Sequence, residues 1–93
     1  RGEGRRSASG PKRTMRFVAT IHVRPKADVR DPQGEAILGA LGSLGLGVVS
    51  VRTGKEIVVT FDADDDAGAR RVADTMGREL LANPVIEDFS VEL

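Results

Sequence analysis

Apolar and polar residues alternate strictly from Phe17 to Arg24. A period of two is typical of a half-buried strand, and Pro25 ends it. Glu56–Asp62 and Val85–Leu93 alternate in the same way, and Val48–Thr53 is rich in β-branched residues. The sequence therefore predicts four strands, with the three phenylalanines on inward positions.

Two other segments place apolar residues three and four positions apart, as amphipathic helices do. The first begins at Asp31-Pro32, where the aspartate can cap free amides and the proline suits the first helical position. It ends at Gly45. The second runs from about Ala67 to Leu81, after an aspartate run suited to a helix N-terminus. The predicted stripes are Ile37, Ala40, Leu41 and Leu44, then Ala69, Val72, Ala73, Met76 and Leu80.

The resulting order is β-α-β-β-α-β. It predicts an α+β fold, a two-layer ferredoxin-like sandwich with a four-stranded antiparallel sheet and two helices on one face. Gly54-Lys55 fits a two-residue hairpin turn, with Gly54 at positive φ. A right-handed crossover then brings three turns to one end of the domain. We expect that end to be one functional surface, formed by the turns at 31–34, 53–56 and 83–84.

Composition divides the chain in two. Residues 1–14 hold five Lys or Arg and one Glu with almost nothing apolar, so we expect a disordered basic tail or a start-site extension. Residues 15–93 form the single domain. A domain this small is marginal alone, and its mixed outer sheet face favours association with itself. No apolar run reaches the length of a membrane helix, and the absence of cysteine is compatible with a reducing cytoplasm.

The chain offers little chemistry. His22 is the only histidine and there is no cysteine, so a typical zinc set cannot form. Gly42, Gly45 and Gly47 follow a helix, whereas phosphate loops precede one. Inward phenylalanines leave no aromatic platform for single-stranded RNA. We expect no catalytic, metal or cofactor residues, and no nucleic-acid partner.

Four segments, in this order and spacing, resemble the PurS family of phosphoribosylformylglycinamidine synthase subunits across residues 15–93. They are Met15–Val18, Asp31–Gly34 followed by Ala40, Leu41 and Leu44, Val51–Lys55, and Leu80–Phe89.

The resemblance implies a role in cytoplasmic purine biosynthesis. In this family a glutaminase subunit releases ammonia, and a large synthetase subunit uses it with ATP and Mg²⁺ to form the amidine. The PurS-like subunit has no active site, associates with itself as a dimer or tetramer, bridges the other two subunits and supports ammonia transfer. This chain is accordingly expected to bind no cofactor itself.

The residues expected to contact partners lie in the three turns. They are Asp31, Pro32, Gln33, Gly34, Arg52, Gly54, Lys55 and Asn83. Two alternatives stay open at this point. An ACT-type ligand-sensing domain shares the predicted strand and helix order, and the arginines of residues 1–14 permit a nucleic-acid-binding tail.

Overall fold

The structure, a computed structural model, describes residues 14–93. Its sheet has three strands, β1 (Met15–Pro25), β2 (Lys55–Ala63) and β3 (Glu87–Glu92). β1 lies in the centre and pairs antiparallel with both neighbours, giving the order β2-β1-β3. The predicted basic tail falls, apart from Thr14, outside the described residues.

Two helices accompany the sheet, α1 (Pro32–Ser43) and α2 (Asp66–Met76), and α2 continues as a π-helical turn over Gly77–Leu81. Both begin at the aspartates that the sequence suggested. Asp31 accepts a hydrogen bond from the Gly34 amide at 3.1 Å, and Asp65 accepts one from the Gly68 amide at 2.7 Å. The predicted N-terminal caps are therefore confirmed.

The predicted four-stranded sheet is wrong. Residues 48–53 belong to no strand, and the chain runs from Leu46 to Lys55 without a turn or bend. Gly54 does not adopt positive φ; among the described glycines only Gly45 does, at 79°. The hairpin fails because the residues before β2 are held elsewhere: the Thr53 amide donates to the Asp31 carboxylate at 2.6 Å instead of joining a sheet.

Of the two α-helices in the described residues, only α2 packs across the sheet, so the ferredoxin-like plan matches in part. α2 buries Ala69 and Ala73 against the inner face of β1, where Ile21 and Val23 are fully buried. α1 buries only Gly34, and the apolar stripe predicted to cover the sheet stays largely exposed. In a single chain the inner face of the sheet is therefore covered by one of the two predicted helices, and the two-layer sandwich is incomplete.

The end of the second helix also differs from the prediction. Leu80 was placed on the inward stripe, yet it is 82% exposed, while Leu81 and Ala82 reach the core. The wider π-helical turn shifts the following side chains around the axis. The three phenylalanines do face inward as predicted: Phe17 and Phe61 stack with ring centres 6.2 Å apart, and Phe89 packs on the core.

Candidate subunit-contact site

The three segments predicted as turns, 31–34, 53–56 and 83–84, meet at one end of the molecule. Thr53 is bonded to Asp31, and Lys55 Nζ lies 3.9 Å from the Glu87 carboxylate. The third turn joins them because the Asn83 carbonyl accepts the Glu87 amide at 2.7 Å. The expectation that these turns share an end is confirmed, although the strand that motivated it is absent.

Asp31 is the centre of this end. It is only 6% exposed and its two carboxylate oxygens accept three hydrogen bonds. One oxygen accepts from the Gly34 amide at 3.1 Å and the Thr53 hydroxyl at 2.8 Å; the other accepts from the Thr53 amide at 2.6 Å. The Thr53 amide, then the Gly34 amide, hold the pKa of Asp31 below its ordinary value. Asp31 thus fixes the start of α1 to the chain entering β2.

Two glycines allow the backbones to come this close. A Cβ on Gly34 would lie 2.7 Å from the Val51 carbonyl oxygen, and one on Gly54 would lie 2.6 Å from the Val23 carbonyl oxygen. Both distances are closer than a carbon can approach without displacing the backbone. Gly34 and Gly54 therefore act structurally, by bringing three chain segments together.

Arg52 acts within the chain in the same region. Its guanidinium donates to the Lys26 carbonyl at 2.9 Å and to the Val29 carbonyl at 2.7 Å. The loop between β1 and α1 is thereby tied to the segment that precedes β2. This anchors the loop but leaves the arginine itself on the surface.

The remaining predicted residues are exposed. Pro32 and Gln33 lie on the first turn of α1, and the side chain of Lys55 is 59% exposed. Asn83 is exposed but also accepts the Val85 amide at 3.0 Å through its side chain, as turn-forming asparagines do. The surface thus combines buried clamps with a few accessible polar groups.

His22 lies on the outer sheet face between two carboxylates. Its Nε2 is 3.0 Å from Glu92 and its Nδ1 is 3.8 Å from Glu56. Both ring nitrogens thus face glutamates, and no nucleophile is paired with the ring within residues 14–93. That same range contains no group of three potential ligands arranged to hold a metal ion, and none of its helices has the length and apolar character needed to cross a bilayer.

A shallow groove of about 400 Å³ lies beside the shared end. Lys26, Ala82, Pro84 and Phe89 contribute to its lining, together with the Glu87 carboxylate. Lys26 is already paired with Asp88 at 2.8 Å. The groove adds shape to the surface without adding reactive groups.

Sequence reasoning missed two features of the site. Glu87, which links the second and third turns, stood inside the quoted segment but was not singled out. Leu44 belongs to the predicted apolar stripe of α1 and Val49 to the predicted strand over 48–53, yet Leu44 is 73% exposed and Val49 is 92% exposed. For Val49 the available signal was the group of valines at 48, 49 and 51 between Gly47 and Gly54.

Comparison with known proteins gives a consistent result. Residues 18–93 match the family model described as PurS, phosphoribosylformylglycinamidine (FGAM) synthase. The chain is 40% identical to the synthase subunit PurS of Synechocystis over 84 residues, covering 89% of this chain and 84% of that protein. It is 44% identical to the PurS subunit of Mycobacterium leprae over 75 residues, covering 78% and 90%.

Solved structures agree. The crystal structure of the PurS subunit from Thermotoga maritima superposes with a TM-score of 0.80 at 34% identity, covering 86% of this chain and 93% of that chain. A chain in the structure of PurLQS from the same organism superposes with a TM-score of 0.78 at 35% identity, covering 84% and 96%.

Proposed function

Because the chain belongs to the PurS family of phosphoribosylformylglycinamidine synthase subunits, we propose that it works as a non-catalytic bridge inside that synthase. In this proposal it joins the glutaminase subunit to the ATP-dependent synthetase subunit and supports ammonia transfer between them. The observation that carries the proposal is the family match over residues 18–93, together with a relative that is part of a structure of PurLQS.

The geometry of the shared end supports a docking role. Asp31, Gly34, Gly54 and Arg52 hold the start of α1, the loop after β1 and the chain entering β2 in fixed positions. The accessible groups above them then meet a partner without losing much conformational freedom, which favours specific contacts. We assign the partner contacts to Pro32, Gln33, Lys55 and Asn83, with the buried residues as their support.

The nucleotide and its Mg²⁺ belong, in this proposal, to the synthetase partner. The described residues contain no Gly-rich loop before a helix, and Asp31 at the start of α1 repels a phosphate. The cytoplasm is the proposed location, because it is where the partner reaction uses glutamine and ATP. The ACT-type alternative has lost its basis, since it was drawn from a four-stranded plan that residues 14–93 do not adopt.

We also propose that the chain associates with itself. Several large apolar side chains of α1 and the residues after it are exposed, among them Leu44, Leu46 and Val49. Exposed apolar groups gathered on one segment mark an interaction surface.

Reconstitution tests the bridging role. The chain is mixed with the glutaminase and synthetase subunits of the same organism, glutamine and Mg-ADP, and the complex is measured by light scattering after size exclusion. Amidine formation is then assayed with glutamine and, separately, with ammonium. We expect omission of this chain to abolish the glutamine-dependent reaction and to leave the ammonium-dependent one. Equal glutamine-dependent rates with and without the chain refute the bridge.

A charge reversal locates the contact surface. Lys55→Glu lies at the shared end, whereas Arg16→Glu lies near the opposite end of the sheet and also breaks an exposed ion pair. We expect Lys55→Glu to weaken complex formation at least about tenfold, as for a charged contact truncated at an interface, and Arg16→Glu to leave it unchanged. Equal effects of the two variants contradict the assignment.

A further inference from the structure

The outer face of the sheet is the side turned away from α2. Cross-strand partners share a face of a sheet, so the register assigns the outward positions: His22 lies opposite Glu56 on one side and Ser90 on the other. Within residues 14–93 no helix covers this side, and Val18 and Val58 are 50% and 58% exposed on it. The outer face is therefore open to a partner.

Four β-branched side chains occupy the middle of the outer face. Val18 lies opposite Thr60, and Thr20 lies opposite Val58, on the adjacent strands β1 and β2. We call these four residues the outer patch. Exposed apolar groups that are gathered together and edged by charge mark a site of interaction.

The charges beside the outer patch are unevenly matched. Glu92 lies 3.0 Å from one ring nitrogen of His22, and Glu56 lies 3.8 Å from the other. The two glutamate side chains are 73% and 62% exposed. A single histidine balances one carboxylate at most, so this side of the outer patch keeps a negative charge. On the other side Arg16 is already paired with Asp62 at 2.6 Å.

From these observations we infer that the outer patch is a second contact surface of the bridge. It takes a surface of one of the two partner subunits that presents an apolar side chain with a Lys or Arg beside it. The apolar group lies on Val18 and Val58, and the cation meets Glu56 and Glu92. The inference rests on the proposed function and adds to it a surface and the chemistry of its partner.

A bridge needs two surfaces because it touches two subunits at once. The shared end, with Lys55, supplies one of them. Val58 lies three residues further along β2, about 10 Å away, and its side chain points from the face of the sheet instead of from its end. Two partners can therefore occupy the shared end and the outer patch together.

The size and charge of the outer face favour a partner subunit over a second copy. From Arg16 to Arg24 it is about 27 Å long, and three strands are about 14 Å wide, which gives about 400 Å². Two copies meeting here would bury about 800 Å² in total, the upper limit of most crystal-packing contacts. They would also bring both carboxylate pairs into one interface without adding a cation. A partner subunit is held by other contacts of the assembly as well, so that a small face suffices.

Photochemical cross-linking in the assembled complex tests the inference. The natural chain has no cysteine, so Val58→Cys can be labelled at one position with a benzophenone maleimide before mixing. The labelled chain is combined with the glutaminase and synthetase subunits, glutamine and Mg-ADP, irradiated, and digested for mass spectrometry. We expect a covalent product with one of the two subunits, at a segment that contains Lys or Arg. The matched control is Thr75→Cys, exposed on α2 in the other layer, which should not label that segment.

Other outcomes overturn the inference. A product with a second copy of this chain alone assigns the outer patch to self-association. The absence of any product in a complex that is active with glutamine shows that no subunit covers the outer patch, and the bridging function then stands without it. Failure of the bridge itself is seen differently, as glutamine-dependent rates that do not change when the chain is omitted.

A charge placed in the outer patch gives an independent measurement. Because Val58 is 58% exposed, Val58→Lys should fold normally, which circular dichroism checks. Docking would bury the new ammonium against an apolar group. We expect the chain concentration that gives half-maximal glutamine-dependent activity to rise at least about tenfold. Thr75→Lys adds the same charge to the other layer and should leave it unchanged. Equal effects of the two variants contradict the inference.

The salt dependence tests the cation assigned to the partner. Glu56→Gln/Glu92→Gln removes both carboxylates, so complex formation should weaken and should respond less to added salt than that of the parent chain. Glu79→Gln is the matched control, because Glu79 is exposed on the π-helical turn and not on the outer face. An unchanged salt dependence in the double variant refutes the assignment of a basic partner surface.

Discussion

Gly77 contacts the ring of Phe89 so closely that even the single methyl group of an alanine at position 77 must disturb the fold. A Cβ built on Gly77 would lie 2.5 Å from Phe89 Cδ2 and 2.8 Å from Cζ. Carbon atoms normally pack about 3.5–4.0 Å apart. The ring must therefore move by about 1 Å in a core where Phe89 touches the buried cluster.

The backbone at this position favours alanine, so the sign of the effect depends on the contact with the ring. Gly77 has φ −62° and ψ −49°, values that alanine adopts readily. Without the ring, Gly77→Ala would stabilise the fold by about 0.4–1 kcal/mol, by restricting the unfolded chain. Overpacking costs about 1–3 kcal/mol. The expected net loss is about 1–2 kcal/mol, or roughly 5–15 °C in Tm for a domain of this size.

Thermal unfolding followed by circular dichroism measures this, at one fixed protein concentration because association shifts Tm. Gly39→Ala is the matched control: it lies within α1, and nothing lies within 4 Å of its added Cβ. We expect it to raise stability by about 0.5–1 kcal/mol. The double variant Gly77→Ala/Phe89→Leu should lose much of the penalty, with a coupling of about 1 kcal/mol. A Gly77→Ala protein as stable as the parent refutes the reasoning.

Three further predictions concern the clamp and the core. The pKa of Asp31 is lowered on folding, so its contribution to folding stability is present above the ordinary pKa of 3.8 and is lost as pH falls through the lower folded value. When the urea midpoint is plotted against pH, Asp31→Asn should flatten the acid limb of the curve. An unchanged acid limb contradicts this prediction. Arg52→Ala should destabilise by about 1 kcal/mol through two lost carbonyl contacts, with Arg52→Lys restoring only part; full recovery in the Lys variant argues against the two-carbonyl clamp. Ile21→Val should cost about 0.5–1.5 kcal/mol because Ile21 is fully buried, whereas Val58→Ala on the exposed face should change urea stability far less.

Local signals in the sequence sufficed for much of this structure. Both helix starts followed from an aspartate that caps free amides, and the inward side of β1 followed from its alternation. The three segments 31–34, 53–56 and 83–84 also meet at one end as expected, although the crossover and hairpin from which this was argued are absent. Helix capping and strand alternation depend on residues that are neighbours in the sequence, so the sequence predicts them directly.

The predictions that are wrong concern contacts between residues that lie far apart in the sequence. Residues 48–53 have the composition of a strand, but composition does not say which edge a strand joins. The decisive interaction is the Asp31–Thr53 clamp, which links residues 22 positions apart. Likewise the exposure of Leu80 accompanies a π-helical turn over Gly77–Leu81, which the helical spacing of apolar residues did not predict.

The central position of β1 has a consequence for how the protein is made. Of the three strands in the described residues, the one synthesised first pairs with both later strands, because Val23 pairs with Lys55 on one side and with Phe89 on the other. During translation the apolar face of β1 therefore stays exposed to solvent until most of the domain has been synthesised. Non-local pairing of this kind slows folding and lengthens the period in which aggregation competes. Faster translation of this chain without chaperone support should therefore lower the yield of soluble protein, with aggregation beginning at the exposed face of β1.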